Sequence, residues 1–511
     1  MDDESAEKKA LAAIAFLEAI VDDRGALARL PEDLRRRLLT AAGRASRPER
    51  HEQRAMAKTF RRRERDDVRA ADERLLSSTG IREARRAPVF VTPPALPSAS
   101  ASSAAPPPSA ERPSDPELRD ARKCYVCKAP YVKVHAFYDQ LCEPCAELNL
   151  RKREQTADLR GRVALVTGAR VKIGYHAAIK LLRAGAQVVV TTRFPRDAAA
   201  RYARESDFDA WSDRLQVHGL DLRHTPSVEL FCQHLLDTLP RLDFVLNNAC
   251  QTVRRPPGFY RHLIDDESRG LAAVPAPARP LLAAWESLRH RDALAHAGHA
   301  SHAGTSDVGL VDPAALSQVA LLESDVSHEE LQLFPRGKLD ADLQQVDLRA
   351  HNSWRATLAE VPSIELLEVH LVNAIAPFVL NARLKPLLAR IPTRDAHVVN
   401  VSAMEGQFYR AWKTDKHPHT NMAKAALNMM TRTSAADYVR DGIHMNSVDT
   451  GWITDEDPAE IAARKVEVHR FSPPLDVVDG AARICDPIFD GVLSGEHRWG
   501  LFLKDYLPAA W

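Results

Sequence analysis

Residues 161–511 predict an α/β fold built on a doubly wound parallel sheet. Apolar runs of strand length alternate there with stretches of helical period, the pattern of strands joined by crossover helices. At its start, Arg162-Val163-Ala164-Leu165-Val166 reads as a short buried strand, Thr167-Gly168 turns the chain, and Gly174 precedes a helix from Tyr175 to Ala184. Gln187-Val188-Val189-Val190-Thr191-Thr192 is a second strand, which completes a βαβ unit whose glycine turn opens a helix N-terminus, a site for pyrophosphate. The third observation is length. About 105 residues, roughly 256–360, are too long for a plain loop and read as an insertion. Without them roughly 250 residues remain, the size of one domain.

The part before residue 161 divides in three. Residues 1–86 are rich in Ala, Leu, Arg and Glu and read as a charged helical region, with Leu11, Ile14, Leu17 and Val21 on one helix face. Residues 43–86 carry 14 Lys/Arg against 8 Asp/Glu. Without interleaved aromatic residues this is a solvated helical face rather than a nucleic-acid surface. Residues 87–117 hold nine of the chain's 33 prolines and read as an extended Pro/Ala/Ser-rich linker. Over all 511 residues Lys plus Arg number 70 and Asp plus Glu 69. The resulting charge of +1 averages a basic N-terminal part with a compensated remainder and excludes a uniformly basic nucleic-acid coat. No run of eighteen apolar residues exists, so no membrane association is expected. The opening Met1-Asp2-Asp3-Glu4 lacks the basic start of a secretory signal, and a cytoplasmic location is expected.

Residues 118–160 form the third part. Cys124-x2-Cys127 is followed by Cys142-x2-Cys145, the spacing of one tetrahedral, structural Zn²⁺ site. Four thiolates would enclose the ion, and its binding would supply folding energy that so small a segment lacks. Redox thiols are the alternative. Tyr131, Val132, Val134, Phe137 and Tyr138 suit a hairpin against the site. What this module grips is open: a protein partner, nucleic acid or its own neighbouring domain. A basic stretch, Arg151-Lys152-Arg153, leads out of it.

Further motifs make the glycine turn specific. Thr167-Gly168-Ala169-Arg170-Val171-Lys172-Ile173-Gly174, Asp221-Leu222, Asn247-Asn248-Ala249-Cys250, Asn373, Val398 to Ser402, Lys424 and Thr450-Gly451-Trp452-Ile453-Thr454 follow one another in order. With them, 161–511 resembles the short-chain dehydrogenase/reductase family over nearly its whole length. The resemblance implies a Rossmann-like fold. It implies a dinucleotide held by Gly168, Arg170, Lys172, Ile173 and Gly174, with Asp221 and Leu222 at the adenine, Asn248 and Ala249 after the fourth strand, Lys424 at the ribose, and Thr450 and Gly451 over the nicotinamide. No carboxylate ends the second strand; Arg193 stands there, with Arg170 and Lys172 in the turn, which favours NADP(H) over NAD(H). A homodimer through the Lys424 helix is implied only by the resemblance.

The sequence departs from the family at three places. Lys172 replaces the middle glycine, Ala403 falls at the catalytic serine, and Thr420 stands four residues before Lys424 in place of tyrosine. Asn373 and Lys424 remain of the catalytic tetrad. Thr420 is short and far too weak an acid to replace the phenol directly. Tyr409, His419, Ser402 and Lys424 are the candidates to take over the proton. Two functions follow. One is an NADP-dependent oxidoreductase acting on a small-molecule carbonyl or alcohol with an atypical proton donor. The other is a non-catalytic NAD(P)-binding regulator or scaffold whose zinc module binds a partner. Within the insertion, His290, His296, His299 and His302 read as a solvated loop rather than a metal site, and Gln344 to Trp354 are expected to line the substrate cleft.

Overall fold

A computed structural model describes residues 3–86, 92, 117–297, 309–326, 332–335, 337–340, 342–409, 413–454, 456–469 and 472–511. The linker apart from Thr92 and Glu117, and His299 and His302, lie outside the described residues, as does the side chain of His296. The chain forms two compact units, Met1–Arg74 and Leu75–Trp511. Residues 75–86, the four-cysteine segment and the sheet fall in the second of these units.

In the first unit, α1 (Asp3–Asp22) and α2 (Glu32–Ser46) are followed by α3 (Arg50–Ser77), which runs into the second. Leu11, Ile14, Leu17 and Val21 of α1 are exposed. After a short helix, α4 (Gly80–Ala84), the second unit pairs β1 (Glu117–Lys123) and β2 (Pro130–Lys133) as an antiparallel hairpin, followed by α5 (Glu143–Glu154).

The main body alternates as expected: β3 (Val163–Thr167), α6 (Lys172–Arg183), β4 (Gln187–Thr192), α7 (Pro195–Tyr202), β5 (Leu215–Gly219), α8 (Thr225–Thr238) and β6 (Phe244–Asn247). The inserted helices are α9 (Pro257–Ser268), α10 (Ala283–Ala297) and α11 (Pro313–Leu316). Then come α12 (Ser363–His370), α13 (Ala376–Leu388), β7 (Ala396–Ser402), α14 (Pro418–Tyr438), β8 (Ile443–Asp449), α15 (Ala459–His469), α16 (Val477–Ser494), β9 (Phe502–Lys504) and β10 (Leu507–Ala509). The sheet order is β10-β9-β8-β7-β6-β3-β4-β5, parallel except for β10. The order reverses between β3 and β6, so a crevice opens at the strands' carboxyl ends there.

Both faces of the sheet are covered, which is why its strands read as unbroken apolar runs. Ala164, Val166, Val188 and Val190 face one core with α6 and α16; Val163, Leu165 and Val189 face another with α8 and α13. Among the described residues, Ser363–Leu388 is a helix long and apolar enough to cross a membrane by length and composition. Its Leu380, Leu384, Leu387 and Leu388 are buried in the second core, while Leu367, Ile375 and Phe378 are exposed.

The insertion is fastened to the body. Phe259, Tyr260 and Leu263 pack on Phe194, together with Ala314 and Phe334. Arg254 makes two 2.6 Å bonds to Asp325 and a third, of 3.1 Å, to Glu368.

The four-cysteine module is embedded as well. Leu118, Tyr131, Val134, Tyr138 and Leu141 share a core with Leu76, Ile81, Ile453 and Leu475. Buried Arg153 of α5 reaches the N-terminus of α16, where Asp476 and Asp479 form a capping box. It donates to Asp476 at 2.6 and 2.9 Å and to Asp479 at 2.9 Å, while the Tyr138 hydroxyl donates to Asp479 at 2.6 Å. Removing the cation would leave two buried carboxylates side by side. Arg153→Leu is expected to lower unfolding free energy by about 3–5 kcal/mol, measured by urea denaturation.

Candidate active site

The crevice is a cleft of about 1200 Å³ whose walls come from the glycine turn, the ends of β4 to β8, the insertion and the cysteine module. Gly168 and Gly174 fit their places by close approach. A Cβ on Gly168 would lie 2.7 Å from Ala249 Cα, and one on Gly174 would lie 2.3 Å from Asn248 Nδ2 and 2.5 Å from the Gly168 carbonyl. Asn248 donates to the Thr167 and Gly168 carbonyls at 3.0 and 3.2 Å, and the Ala249 N–H donates to Thr167 Oγ1 at 3.0 Å. These bonds tie the turn after β6 to the turn after β3. Lys172 adopts φ 55°, the left-handed conformation of the glycine it replaces, at a cost of about 1–2 kcal/mol. Its ammonium acts on Asp342 and Glu456, and burial of the Glu456 carboxyl is outweighed, with Lys172 foremost, so that it stays below its ordinary range.

Arg170, Ile173, Arg193, Asp221 and Leu222 line the same cleft. Arg170 is buried, donates to Asp197 at 2.8 Å, and is pushed below its ordinary value by that burial. Arg193 donates to the Tyr260 hydroxyl at 2.6 Å and lies 4.4 Å from the centroid of that ring, so the insertion reaches the end of β4. Asp221 is held by Arg223 at 2.6–3.1 Å; burial would raise its carboxyl, but Arg223 brings it below the ordinary range. Arg223 continues to Glu368 at 2.6 Å.

The tetrad positions separate. Asn373 sits in a π-helical turn, Leu371–Ile375, a local bulge of the kind that often marks functional sites. Its amide accepts from the Gln251 N–H at 2.8 Å and donates to the Gln251 carbonyl at 2.9 Å, which fixes the loop after Cys250. Lys424 and Ser402 line the cleft. Lys424 Nζ donates to the Val401 carbonyl at 2.8 Å, and the buried Ser402 hydroxyl has no hydrogen-bond partner. Thr420 and His419 are buried, with Glu365 3.6 Å from His419 Nε2, and do not belong to the cleft lining. Thr420, in the first turn of α14, is thus buried and outside the cleft lining, whereas Ser402 and Lys424 stand in it. Tyr409 does line the cleft and is half exposed.

Gln344, Gln345, Val346, Asp347, Asn352 and Trp354 reach the cleft as expected. Trp354 stacks on His417 with centroids 3.9 Å apart. The cysteine module also reaches it, through Tyr125, Val126 and Lys128. The Trp452 N–H donates to the Tyr125 hydroxyl at 2.9 Å, and a Cβ on Gly451, at φ 79°, would meet Leu475 at 2.6 Å and the same hydroxyl at 3.3 Å. Thr450 and Gly451 line the cleft at this point.

The four cysteine sulfurs lie within 4.8 Å of one another. Cys127 and Cys142 are 3.5 Å apart, far beyond a disulfide and near the roughly 3.8 Å between thiolates on one tetrahedral zinc. The cage fits a single soft cation.

The short chain dehydrogenase family model matches residues 162–264, and the enoyl-(acyl carrier protein) reductase model of the same family matches 310–472. The chain belongs to the short-chain dehydrogenase/reductase family. An uncharacterized protein of Acanthamoeba polyphaga mimivirus is 30% identical over 379 residues, 72% of this chain and 71% of its own length. Retinol dehydrogenase 14 of Mus musculus is 35% identical over 114 residues, 20% of this chain and only 34% of that protein. A solved short chain dehydrogenase from Burkholderia cenocepacia in complex with NADP is 17% identical, with a TM-score of 0.41 over 68% of this chain and 97% of its own.

Sequence reasoning missed Tyr125 and Asp449. Only a fold that brings the cysteine module to the end of β8 makes them neighbours. Asp449 was legible in part, as an acidic residue in an otherwise buried strand just before Thr450-Gly451. Burial pushes its carboxyl up to about 6 against the pull of Lys504. A carboxyl raised by the fold contributes stability when protonated and loses it as pH climbs through that value. Asp449→Asn is thus expected to equal the parent near pH 4 and exceed it by about 3 kcal/mol above pH 6, checked by denaturant melts across that range.

Proposed function

We propose that this protein is an NADP-dependent oxidoreductase of a carbonyl or alcohol with Tyr409 as proton donor. The observation that carries this reading is that Lys424 and Tyr409 stand on the walls of the same cleft as the glycine turn and the Thr450-Gly451 segment. Gly168, Lys172 and Gly174 hold the phosphates, Arg193 and Arg170 the 2′-phosphate, and Asp221 with Leu222 the adenine. Lys424 orients the ribose, and Asn373 positions the loop beneath it through Gln251. Bound, the dinucleotide supplies hydride to the substrate carbon. Tyr409 supplies the hydroxyl that Thr420 and Ala403 do not, and Ser402 adds a hydroxyl without a partner to the same cleft. The regulator reading rests on those same two replacements and shares every cofactor contact.

The two readings part on turnover. Oxidation of NADPH by members of a carbonyl panel, reduced at least about 100-fold by Tyr409→Phe with NADPH binding intact, is the expected result. Binding without turnover across the panel would establish the regulator instead.

The cysteine cage takes structural Zn²⁺ in this reading. Elemental analysis of Cys127→Ser is expected to show one zinc fewer per chain than the parent. The exposed Leu367, Phe378, Met422 and Met429 on α12, α13 and α14 support a homodimer.

A further inference from the structure

A second cluster of potential ligands lies at the other end of the sheet. His397 on β7 and His444 on β8 are register partners near the strands' amino ends, and His497 follows α16. Ser402 and Asp449, at the cleft, are five residues further along each strand, roughly 17 Å away. The cluster is therefore no part of the active site. One ring nitrogen from each histidine lies within 4.8 Å of the others.

Three features make this more than a packing accident. His397, fully buried, turns its Nε2 toward His497 Nδ1 at 2.9 Å. His444 Nδ1 bonds the Ala396 carbonyl at 3.2 Å, which fixes its proton there and leaves the Nε2 lone pair free, the arrangement of metal-bound imidazoles. Finally, Gly491 of α16 covers the cluster, and a Cβ there would lie 2.5 Å from His497 Nδ1 and 3.1 Å from His397 Nε2. Glycine weakens a helix interior, so its presence keeps open the space in which the nitrogens converge.

We propose that His397, His444 and His497 bind a divalent transition cation of the zinc type. Neutral imidazoles suit such an ion, with water in the fourth position beside half-buried His497. Binding replaces the His397–His497 hydrogen bond and moves the proton held between the two facing nitrogens to the far nitrogen of its ring; bonds of roughly 2.1 Å would put the ligand nitrogens about 3.4 Å apart, so this pair, at 2.9 Å, opens while wider pairs close. The ion would clip β7, β8 and the segment after α16 together.

The test is metal content of the full chain after equilibration with Zn²⁺ and removal of excess. Two equivalents are expected. His497→Gln and Gly491→Ala should each hold one, with the cobalt-substituted variants retaining thiolate-to-cobalt absorption as proof of an intact cysteine cage. Gly491→Ala keeps all three imidazoles and favours the helix, so its loss of metal reads the space and not misfolding. One equivalent in the parent chain, or two retained in both variants, would overturn the proposal.

Discussion

Arg153 between Asp476 and Asp479 is the interaction on which the rest of the structure depends. The two carboxylates cap α16, the helix that packs on α6 behind the glycine turn. Capping favours them at a helix N-terminus, but their burial so close together is tenable only with a cation against both. That cation comes from α5, the helix whose N-cap is Cys142. The cysteine module is thereby made part of the body, and the first turn of α16 is held through it.

The consequence is a cleft assembled from distant pieces. Tyr125, between two cysteines, takes up the N–H of Trp452 in the segment after β8, and 327 residues separate the pair. At the opposite end, Tyr260 of the insertion meets Arg193. Between these two additions lie the turns of the sheet itself: glycines with no room for a Cβ, Asn248 bridging two turns, and Lys424 on the Val401 carbonyl. Lys172 holds a glycine conformation, so the turn has kept its shape while gaining a charge.

Much of this was legible in the sequence. Strand β4 occupies the residues expected of it, because a continuous apolar run in a parallel sheet has clear ends. The cysteine spacing announced the cage, and the missing carboxylate after β4 drew attention to Arg193. Thr420 shows where one-dimensional reading stops: its position relative to Lys424 places it in the motif, but the side chain lies behind the cleft wall. Tyr125, Asp449 and the three clustered histidines were not singled out, because each becomes notable only beside residues far away in the chain. The destination of the cysteine module was equally unreadable, since the partners of Arg153 lie more than 320 residues later.

The four-cysteine module forms one wall of the cleft. Titration of the full chain with NADPH before metal removal, after it, and after zinc is restored tests this most directly. Affinity that falls by at least tenfold on removal and returns with zinc is the expected result. Equal affinity in all three states would contradict it.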